Sequence, residues 1–200
     1  MSGWDFNENK DKLEFTSFPE GITRIRILSA EPKMAWTHWI MKEKRSIICP
    51  GRGCPICQIR KQQKEDKQPQ TYSVTRRLRI YVYNYDTERI EILEQGITFF
   101  EELADMKKEL EKEGKLLSGA IFKVKRKGTG KETTSYRIDL DSYEEVDLSD
   151  DKYSLEKFQK LSEMFQPHEP KDILRILDGE TWNDVFAKPV EETEETFTVE

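Results

Sequence analysis

The stretch HWIMKEKRSIICPGRGCPIC, residues 38–57, contains all three cysteines of the chain and one of its two histidines. Cys54 and Cys57 form a CxxC pair, a spacing with which one tight turn presents two thiolates to the same metal ion. Cys49 lies upstream across PGRG, whose proline and glycines allow a sharp reversal, and His38 can add a neutral imidazole. One histidine and three cysteines complete a tetrahedral site with no open position. The pattern therefore predicts one structural Zn²⁺ ion bound by His38, Cys49, Cys54 and Cys57.

Two other kinds of cysteine site fit the sequence less well. A thioredoxin-like redox pair would lie within a βαβ pattern, which does not surround this CxxC pair, and it would leave Cys49 without a role. A zinc deaminase would carry H-x-E followed later by P-C-x-x-C, whereas here Ile40 stands in the glutamate position and Gly53 precedes the pair. The second histidine, His168, lies in the proline-flanked segment FQPHEP and is expected to be exposed.

The overall composition indicates a highly charged protein with a modest core. Charged residues make up 36% of the 200-residue chain, against roughly 25% in an average globular protein. No apolar run approaches the roughly 18 residues that a membrane-spanning helix needs, and the N-terminus lacks the apolar region of a signal peptide. The cysteines are odd in number and clustered, which argues against a secreted disulfide framework. We therefore expect a cytoplasmic protein with no membrane partner.

The charges are strongly segregated along the chain. Residues 21–85 contain fourteen lysines and arginines against four acidic side chains, a net charge of +10. Residues 138–200 contain six basic and nineteen acidic side chains, a net charge of −13. A basic half joined to an acidic end suggests a polyanionic partner and an anionic mimic of that partner within the same chain.

The alternating run TYSVTRRLRIYVYNYD, residues 71–86, predicts a strand with two different faces. Leucine, isoleucine and valine at positions 78, 80 and 82 form an apolar row, and the odd positions carry arginines and tyrosines. Successive side chains of a strand point to opposite faces. One face is therefore expected to join a core, and the other to form an open platform of aromatic rings and guanidinium groups. GITRIRIL, residues 21–28, alternates in the same way, with Arg24 and Arg26 on its open side.

Shorter patterns predict the remaining elements. They are strands at 34–40 and 89–96, a polar helix at 58–65, and an amphipathic helix at 98–114 that begins with a Thr98–Glu101 capping box. A hairpin is expected at 119–140, in which Lys123, Lys125 and Lys127 alternate with apolar residues and glycines 128 and 130 form a flexible tip. Two short helices are expected within 152–188, around Pro167 and Pro170, and the second ends at Gly179. Short strands with one helix before the final hairpin predict a mainly β, α+β fold built on a five-stranded barrel. An OB-fold is the leading candidate, because its sheet face and loops bind oligonucleotides. An SH3-like barrel would show much the same strands.

Single-stranded nucleic acids are held by a cationic groove that follows the phosphates and by aromatic faces that stack on bases. The cations predicted for this role are Arg24, Arg26, Arg76, Arg77, Arg79, Lys123, Lys125 and Lys127. The predicted stacking residues are Tyr72, Tyr81, Tyr83, Tyr85 and Tyr136, with Trp36 or Trp39 as further candidates.

Several of these motifs occur together in one family. The order RIRIL, HW before a three-cysteine cluster ending in CPIC, YSVTRR, a helix, an FKVKRKGTG…SYRI hairpin and an acidic tail resembles the single-stranded DNA-binding (helix-destabilising) proteins of T-even and related tailed bacteriophages. The resemblance covers roughly residues 13–140. It implies an OB-fold with an inserted zinc subdomain that binds single-stranded DNA in phage replication, recombination and repair, within the cytoplasm of the host cell. The basic N-terminal arm that this family uses for cooperative binding has no counterpart here, because residues 1–15 are net acidic.

With this resemblance, the chain is expected to divide into an N-terminal segment (1–20), an OB-fold core (21–148) with the zinc subdomain at about 36–66, a C-terminal helical segment (149–188) and a disordered acidic tail (189–200). Phe197 and Val199 are the only large apolar side chains of residues 191–200. We expect this pair to anchor replication and recombination proteins of the phage or its host, since the tail's charge would steer it to a basic pocket. The tail can also compete with DNA for the chain's own basic cleft.

Two alternatives to DNA binding stay open from sequence. A non-catalytic zinc adaptor would use the Tyr/Arg face to bind replication or transcription proteins, and a stacking platform does not by itself distinguish RNA from DNA. An enzyme is not expected, because the basic half lacks paired carboxylates, a phosphate-binding loop with Lys-Ser/Thr and a spare histidine.

Overall fold

The computed structural model describes residues 13–29, 31–128 and 133–186, which form a mixed α+β structure dominated by an open antiparallel sheet. The strands are β1 (Gly21–Ile27), β2 (Lys33–Ile40), β3 (Arg45–Ile48), β4 (Val74–Asn84), β5 (Arg89–Gly96), β6 (Ala120–Lys127) and β7 (Ser135–Tyr143). The helices are α1 (Pro55–Glu65), α2 (Ile97–Lys112), α3 (Leu161–Met164), α4 (Pro170–Asp178) and α5 (Trp182–Phe186).

The seven strands follow the order β3-β2-β4-β1-β6-β7, with β5 also paired to β4. Along this path β3 and β7 are not paired with each other, so the sheet is open. The closed five-stranded barrel predicted from the sequence is not what the described strands form. The α+β class and the predicted 119–140 hairpin are confirmed, since β6 and β7 pair antiparallel.

The chain divides into two compact units. Among the described residues, the first contains those up to Thr37 together with Thr75–Gln166, and the second contains His38–Val74 together with those from Pro167 to Phe186. The C-terminal segment predicted at 149–188 is thus shared between the two units.

The first unit has a core on one side of β4, as the alternation in that strand predicts. Leu78, Ile80 and Val82 are buried there with Phe122 and other apolar residues of β1, β6 and α2. Burial of such side chains contributes roughly 1.5–3 kcal/mol each. The helix α2 begins at Ile97, so Gly96 is its N-cap and the predicted Thr98 capping box is wrong.

The second unit has a smaller core built from β3, the start of α1 and the helix α4. Ile47, Ile56 and Ile173 are fully buried in it. Helix α4 ends at Gly179, which adopts a left-handed φ of 114° that a residue with a side chain rarely takes. The sequence prediction of a helix ending at Gly179 is confirmed.

His168 also belongs to this second unit, and its predicted exposure is wrong. Its ring lies within 5.6 Å of the Trp182 ring and 5.0 Å of the Phe186 ring. Its Nδ1 accepts a hydrogen bond from the backbone N–H of Ile48 at 3.0 Å. Burial lowers the pKa of His168, which keeps the ring in the neutral form that can accept this bond.

Three sequence predictions lie outside the described residues: the N-terminal segment before residue 13, the glycine-rich tip of the β6–β7 hairpin, and the acidic tail with Phe197 and Val199. Within the described part of the chain, none of the helices has the length and apolar character needed to cross a membrane.

Candidate metal centre and nucleic-acid interface

The structure brings His38, Cys49, Cys54 and Cys57 together in the second unit, with one ligand atom of each lying within 4.8 Å of the others. The Sγ atoms of Cys49 and Cys57 are 3.7 Å apart, and His38 Nε2 lies 3.5 Å from Cys54 Sγ and 3.4 Å from Cys57 Sγ. A tetrahedral zinc ion with ordinary bond lengths would separate two sulfurs by about 3.8 Å and a sulfur from a nitrogen by about 3.6 Å. The four ligand atoms are therefore spaced for one metal ion.

Local backbone structure explains how the cysteines reach this arrangement. Gly51 and Gly53 have φ values of 77° and 80°, which let the chain reverse between Cys49 and Cys54. Cys54 is the N-cap of α1 and Cys57 lies in its first turn, so both thiols sit at the positive end of the helix. Such a position favours thiolates, the form that binds a metal ion.

The imidazole of His38 is oriented by a hydrogen bond on its far side. Its Nδ1 lies 3.3 Å from the backbone carbonyl of Ser73, to which a protonated Nδ1 donates. That tautomer leaves the Nε2 lone pair directed at the sulfurs, an arrangement typical of metal-binding histidines. His38 is fully buried, and burial lowers its pKa, which favours the neutral ligand form.

Burial nevertheless disfavours the thiolates of Cys49 and Cys57 when no cation is bound. Burial, followed by hydrogen bonds to the other two cysteines, raises the pKa of Cys57 to about 12, and burial also raises the pKa of Cys49. A bound divalent cation reverses this preference, since its charge stabilises the thiolates. Cys54 is buried in the core of the second unit and Cys49 packs against it, so the candidate metal ligands are in direct contact with the apolar core.

A separate feature of the first unit is a row of cations on the outward face of β1 and β6. We call Arg24, Lys123, Lys125 and Lys127 the basic stripe. Phe122 and Val124 point into the core, so the three lysines of β6 point away from it. Arg24 is directly opposite Lys123 in the strand register. The predicted alternation of the lysines along β6 is confirmed, whereas the contact of these four cations with nucleic acid stays a prediction.

One carboxylate of β7, that of Asp141, neutralises one half of the basic stripe. Asp141 pairs with Arg24 at 2.8 Å and also with Lys123, and these contacts hold the pKa of Asp141 below its usual range, the hydrogen bond from Lys123 having the largest effect. Lys125, in contrast, lies directly opposite Arg137. Neighbouring like charges are unfavourable. Lys125 and Lys127 form no ion pair with any described residue, which leaves this half of the stripe available to an anion.

Another partly accessible group of predicted residues consists of Trp36 on β2 and the arginines at the start of β4. Trp36 is 48% exposed, and the guanidinium of Arg76 lies 5.7 Å from the centre of its ring. Arg77 is half-buried at the neighbouring position. An exposed indole beside the Arg76 guanidinium offers a stacking surface together with positive charge. Trp39, the other tryptophan considered, is exposed in the second unit.

Two predicted stacking tyrosines are partly engaged in packing. Tyr72 is half-buried against the core of the second unit. Tyr136 is half-buried against the main core of the first unit, with its ring 5.7 Å from that of Phe18. Both rings keep part of their surface exposed, and their role in binding stays a prediction.

The arginine and tyrosine side of β4 is covered, contrary to expectation. We call Arg79, Tyr81, Tyr83, Tyr85 and Arg26 the tyrosine face. Tyr85 is half-buried and the other four are at most 5% exposed. The prediction of an open platform at these positions is wrong, because the chain between β7 and α4 packs its own rings over them. This burial does not test whether these residues contact nucleic acid, so that role stays a prediction.

Arg26 has a structural role in this face. Its Nε donates a hydrogen bond to the Tyr85 hydroxyl at 2.9 Å, and its Nη1 donates to the carbonyls of Ser118 and Glu144 at 2.8 and 3.2 Å. Its Nη2 pairs with the Glu144 carboxylate at 3.1 Å. Such a set of partners compensates the loss of water around a buried guanidinium.

Sequence reasoning missed the segment that covers the tyrosine face. Apolar side chains recur at short intervals along this segment, and this recurrence is the feature of the sequence that could have predicted its packing. They are Tyr153, Leu155, Phe158, Leu161, Met164 and Phe165. The pattern was interpreted only as helix, whereas α3 spans Leu161–Met164 and the rest is turns.

Comparison with known proteins identifies no family for this chain. No protein-family model matches the sequence, and no curated protein is significantly similar to it.

Proposed function

We propose that this protein is a non-catalytic, sequence-tolerant binder of single-stranded DNA that carries one structural zinc ion. The observation that carries the proposal is the basic stripe, whose Lys125 and Lys127 are exposed and have no ion-pair partner among the described residues. Cations that are unpaired and aligned along a strand suit a chain of phosphates, since each neutralised phosphate releases condensed counterions. Trp36 beside Arg76 supplies a stacking surface for bases.

Zinc is the metal that this site suits best. Three thiolates and one imidazole are soft and borderline ligands, and their spacing matches tetrahedral zinc rather than the oxygen-rich shells of calcium or magnesium. The four ligands leave no position for a substrate, so the ion would stabilise the second unit and would not take part in a reaction. His38 and the three cysteines would hold it.

The family context of the proposal comes from the sequence motifs. By that resemblance the protein would have an OB-like core and would coat and protect single strands in phage replication, recombination and repair, in the cytoplasm of the host. Its acidic tail would bind replication and recombination proteins of the phage or host through Phe197 and Val199.

The test is a fluorescence titration of the full chain with oligo-dT, with a duplex of the same length and with oligo-U, each at two salt concentrations. We expect preference for oligo-dT over duplex, and a logarithm of the binding constant that falls by about 0.7 per neutralised phosphate for each log unit of salt. Equal affinity for duplex, or a constant insensitive to salt, would refute single-strand binding. Clear preference for oligo-U would assign the protein to RNA.

A further inference from the structure

Residues 145–165, which we call the cover segment, lie over the tyrosine face within the first unit. The Tyr153 ring meets the Tyr83 ring edge-on at 5.1 Å. The Phe158 ring stacks on the Tyr81 ring at 6.2 Å, and the Tyr81 hydroxyl donates to the carbonyl of Gln159. Tyr81 and Tyr83 are thus each covered by an aromatic ring. A nucleobase would present the same kind of surface to them.

Arg79 is the residue that this arrangement satisfies least. It is 5% exposed, and its guanidinium lies 4.1 Å from the centre of the Phe165 ring. Its Nη2 pairs with Glu94, whereas its Nε and Nη1 have no hydrogen-bond partner. Buried N–H donors without acceptors are unfavourable. A phosphate oxygen in the place of Phe165 would accept from the donors that the phenyl ring leaves without a partner.

The cover segment is attached in a way that allows it to leave. All of its backbone-to-backbone hydrogen bonds with described residues stay within the segment, for example from Tyr153 N–H to the Asp150 carbonyl. Its contacts with the sheet are apolar and ring contacts, Lys152 over the Tyr83 ring at 4.7 Å, and hydrogen bonds that the Tyr81 and Tyr85 hydroxyls form. The partners of these hydroxyls are the Gln159 carbonyl, the Met164 sulfur and the Tyr153 hydroxyl. Displacing it therefore breaks no sheet ladder. The residue just before the segment stays attached to the fold, because the Glu144 N–H donates a hydrogen bond to the Gly119 carbonyl.

The charge of the cover segment also matches that of a nucleic acid. Residues 145–165 contain six acidic and three basic side chains, a net charge of −3. Aromatic rings interspersed with carboxylates reproduce the two features that the arginines and tyrosines beneath would bind in a single strand.

We infer that the cover segment is an intramolecular competitor of single-stranded nucleic acid, and that binding of a strand at the tyrosine face displaces it. The inference rests on the proposed function. In this mechanism the basic stripe and Trp36 are open to the first contact, and the tyrosine face becomes available only when the cover segment leaves. The apparent affinity is then reduced by the fraction of molecules that are uncovered.

The first test compares oligo-dT binding by the full-length wild type, a Phe158→Ala/Phe165→Ala variant, and Leu148→Ala as a matched control. Leu148 belongs to the same segment but is exposed and outside the packed cluster. We expect the double variant to bind about tenfold more tightly, which corresponds to a wild type uncovered in about one tenth of molecules. We also expect an unchanged salt dependence, because a bound strand displaces the cover segment from Arg79 in the wild type as well. Leu148→Ala should bind like the wild type.

A second test uses the wild type alone, and so does not depend on the folding of a variant. Trypsin can cut after Lys152, Lys157 and Lys160 in the cover segment, and cutting after Lys112 at the end of α2 serves as the reference. Saturating oligo-dT should accelerate cutting within the cover segment at least threefold relative to the reference. Unchanged or slower cutting, together with unchanged affinity of a folded double variant, would overturn the inference. The proposed function would still stand in that case, provided that the wild type binds oligo-dT. Absence of oligo-dT binding by every protein at low salt would overturn the proposed function itself, and this inference with it.

Discussion

Replacement of Arg26 by alanine tests whether this residue stabilises the fold or serves mainly as a DNA contact. Arg26 was expected on an open face, yet its side chain is fully buried and its guanidinium donates hydrogen bonds to the Tyr85 hydroxyl, the Ser118 carbonyl and Glu144. It also lies 5.3 Å from the centre of the Tyr153 ring. The alanine variant loses all these contacts at once.

The size of the effect follows from the partners that are left behind. Truncating one member of a buried charged pair costs about 3–5 kcal/mol. The side chain of Glu144 is 68% exposed, so its carboxylate is rehydrated and adds little to this cost. The Ser118 carbonyl and the Tyr85 hydroxyl lose buried donors, at about 1–3 kcal/mol each. The two lost hydrogen bonds together predict a loss of about 2–6 kcal/mol in the free energy of unfolding of the first unit.

Urea denaturation followed by far-UV circular dichroism measures this loss. With a urea dependence of roughly 2 kcal/mol per molar, the midpoint should fall by about 2 M. Arg24→Ala is the matched control, because Arg24 lies on the same strand but is largely exposed and makes a surface pair with Asp141. Such pairs contribute about 0–1 kcal/mol. Equal and small losses in both variants would refute the structural role assigned to Arg26.

Three further predictions concern the metal centre, the basic stripe and His168. Cys54→Ser should retain less than half an equivalent of zinc by elemental analysis and should lower the melting temperature of the second unit; full zinc with unchanged melting would contradict the assigned site. Lys125→Ala should make the salt dependence of oligo-dT binding shallower by about 0.7, while Trp36→Ala should weaken binding by about 1–3 kcal/mol with an unchanged slope; identical behaviour of the two would refute the division into phosphate and base contacts. Burial lowers the pKa of His168, so its contribution to stability is present above its unfolded pKa of about 6.5 and is lost as pH falls through the lower folded pKa. Between about pH 7.5 and 6, His168→Gln should therefore lose less stability than the wild type. An equal loss in the two proteins would contradict this prediction.

The main core could be predicted from the sequence because alternation along a strand is a local property. The even positions of β4 are apolar, and a strand sends them to one side regardless of what the rest of the chain does. The same reasoning predicted the outward lysines of β6. Closure of the sheet is not local, since it depends on which strands pair across long separations. The expectation of a five-stranded barrel therefore went beyond what alternation can support.

The covering of Tyr81 and Tyr83 could not be predicted from β4 alone. A tyrosine has an apolar ring and a polar hydroxyl, so it fits a stacking surface and a buried face with equal chemistry. The decision depends on residues 145–165, which lie far away in sequence and supply the opposing rings. Arg79 was ambiguous for the same reason, because a guanidinium can face a phosphate, a carboxylate or a phenyl ring.

The metal ligands differ from the tyrosine face in how much their chemistry restricts them. Three clustered thiols with a histidine upstream have one stable common use, and the CxxC turn fixes two of the ligands within a single helical turn. The structure needed only to bring His38 on β2 to the cysteines, and the Ser73 carbonyl then orients its ring. Tyrosines and arginines have several uses, and only their neighbours select one. The spacing of such ligands in the sequence is therefore enough to predict a candidate metal site. The role of a surface made of tyrosines and arginines can be assigned only when the residues packed against it are known.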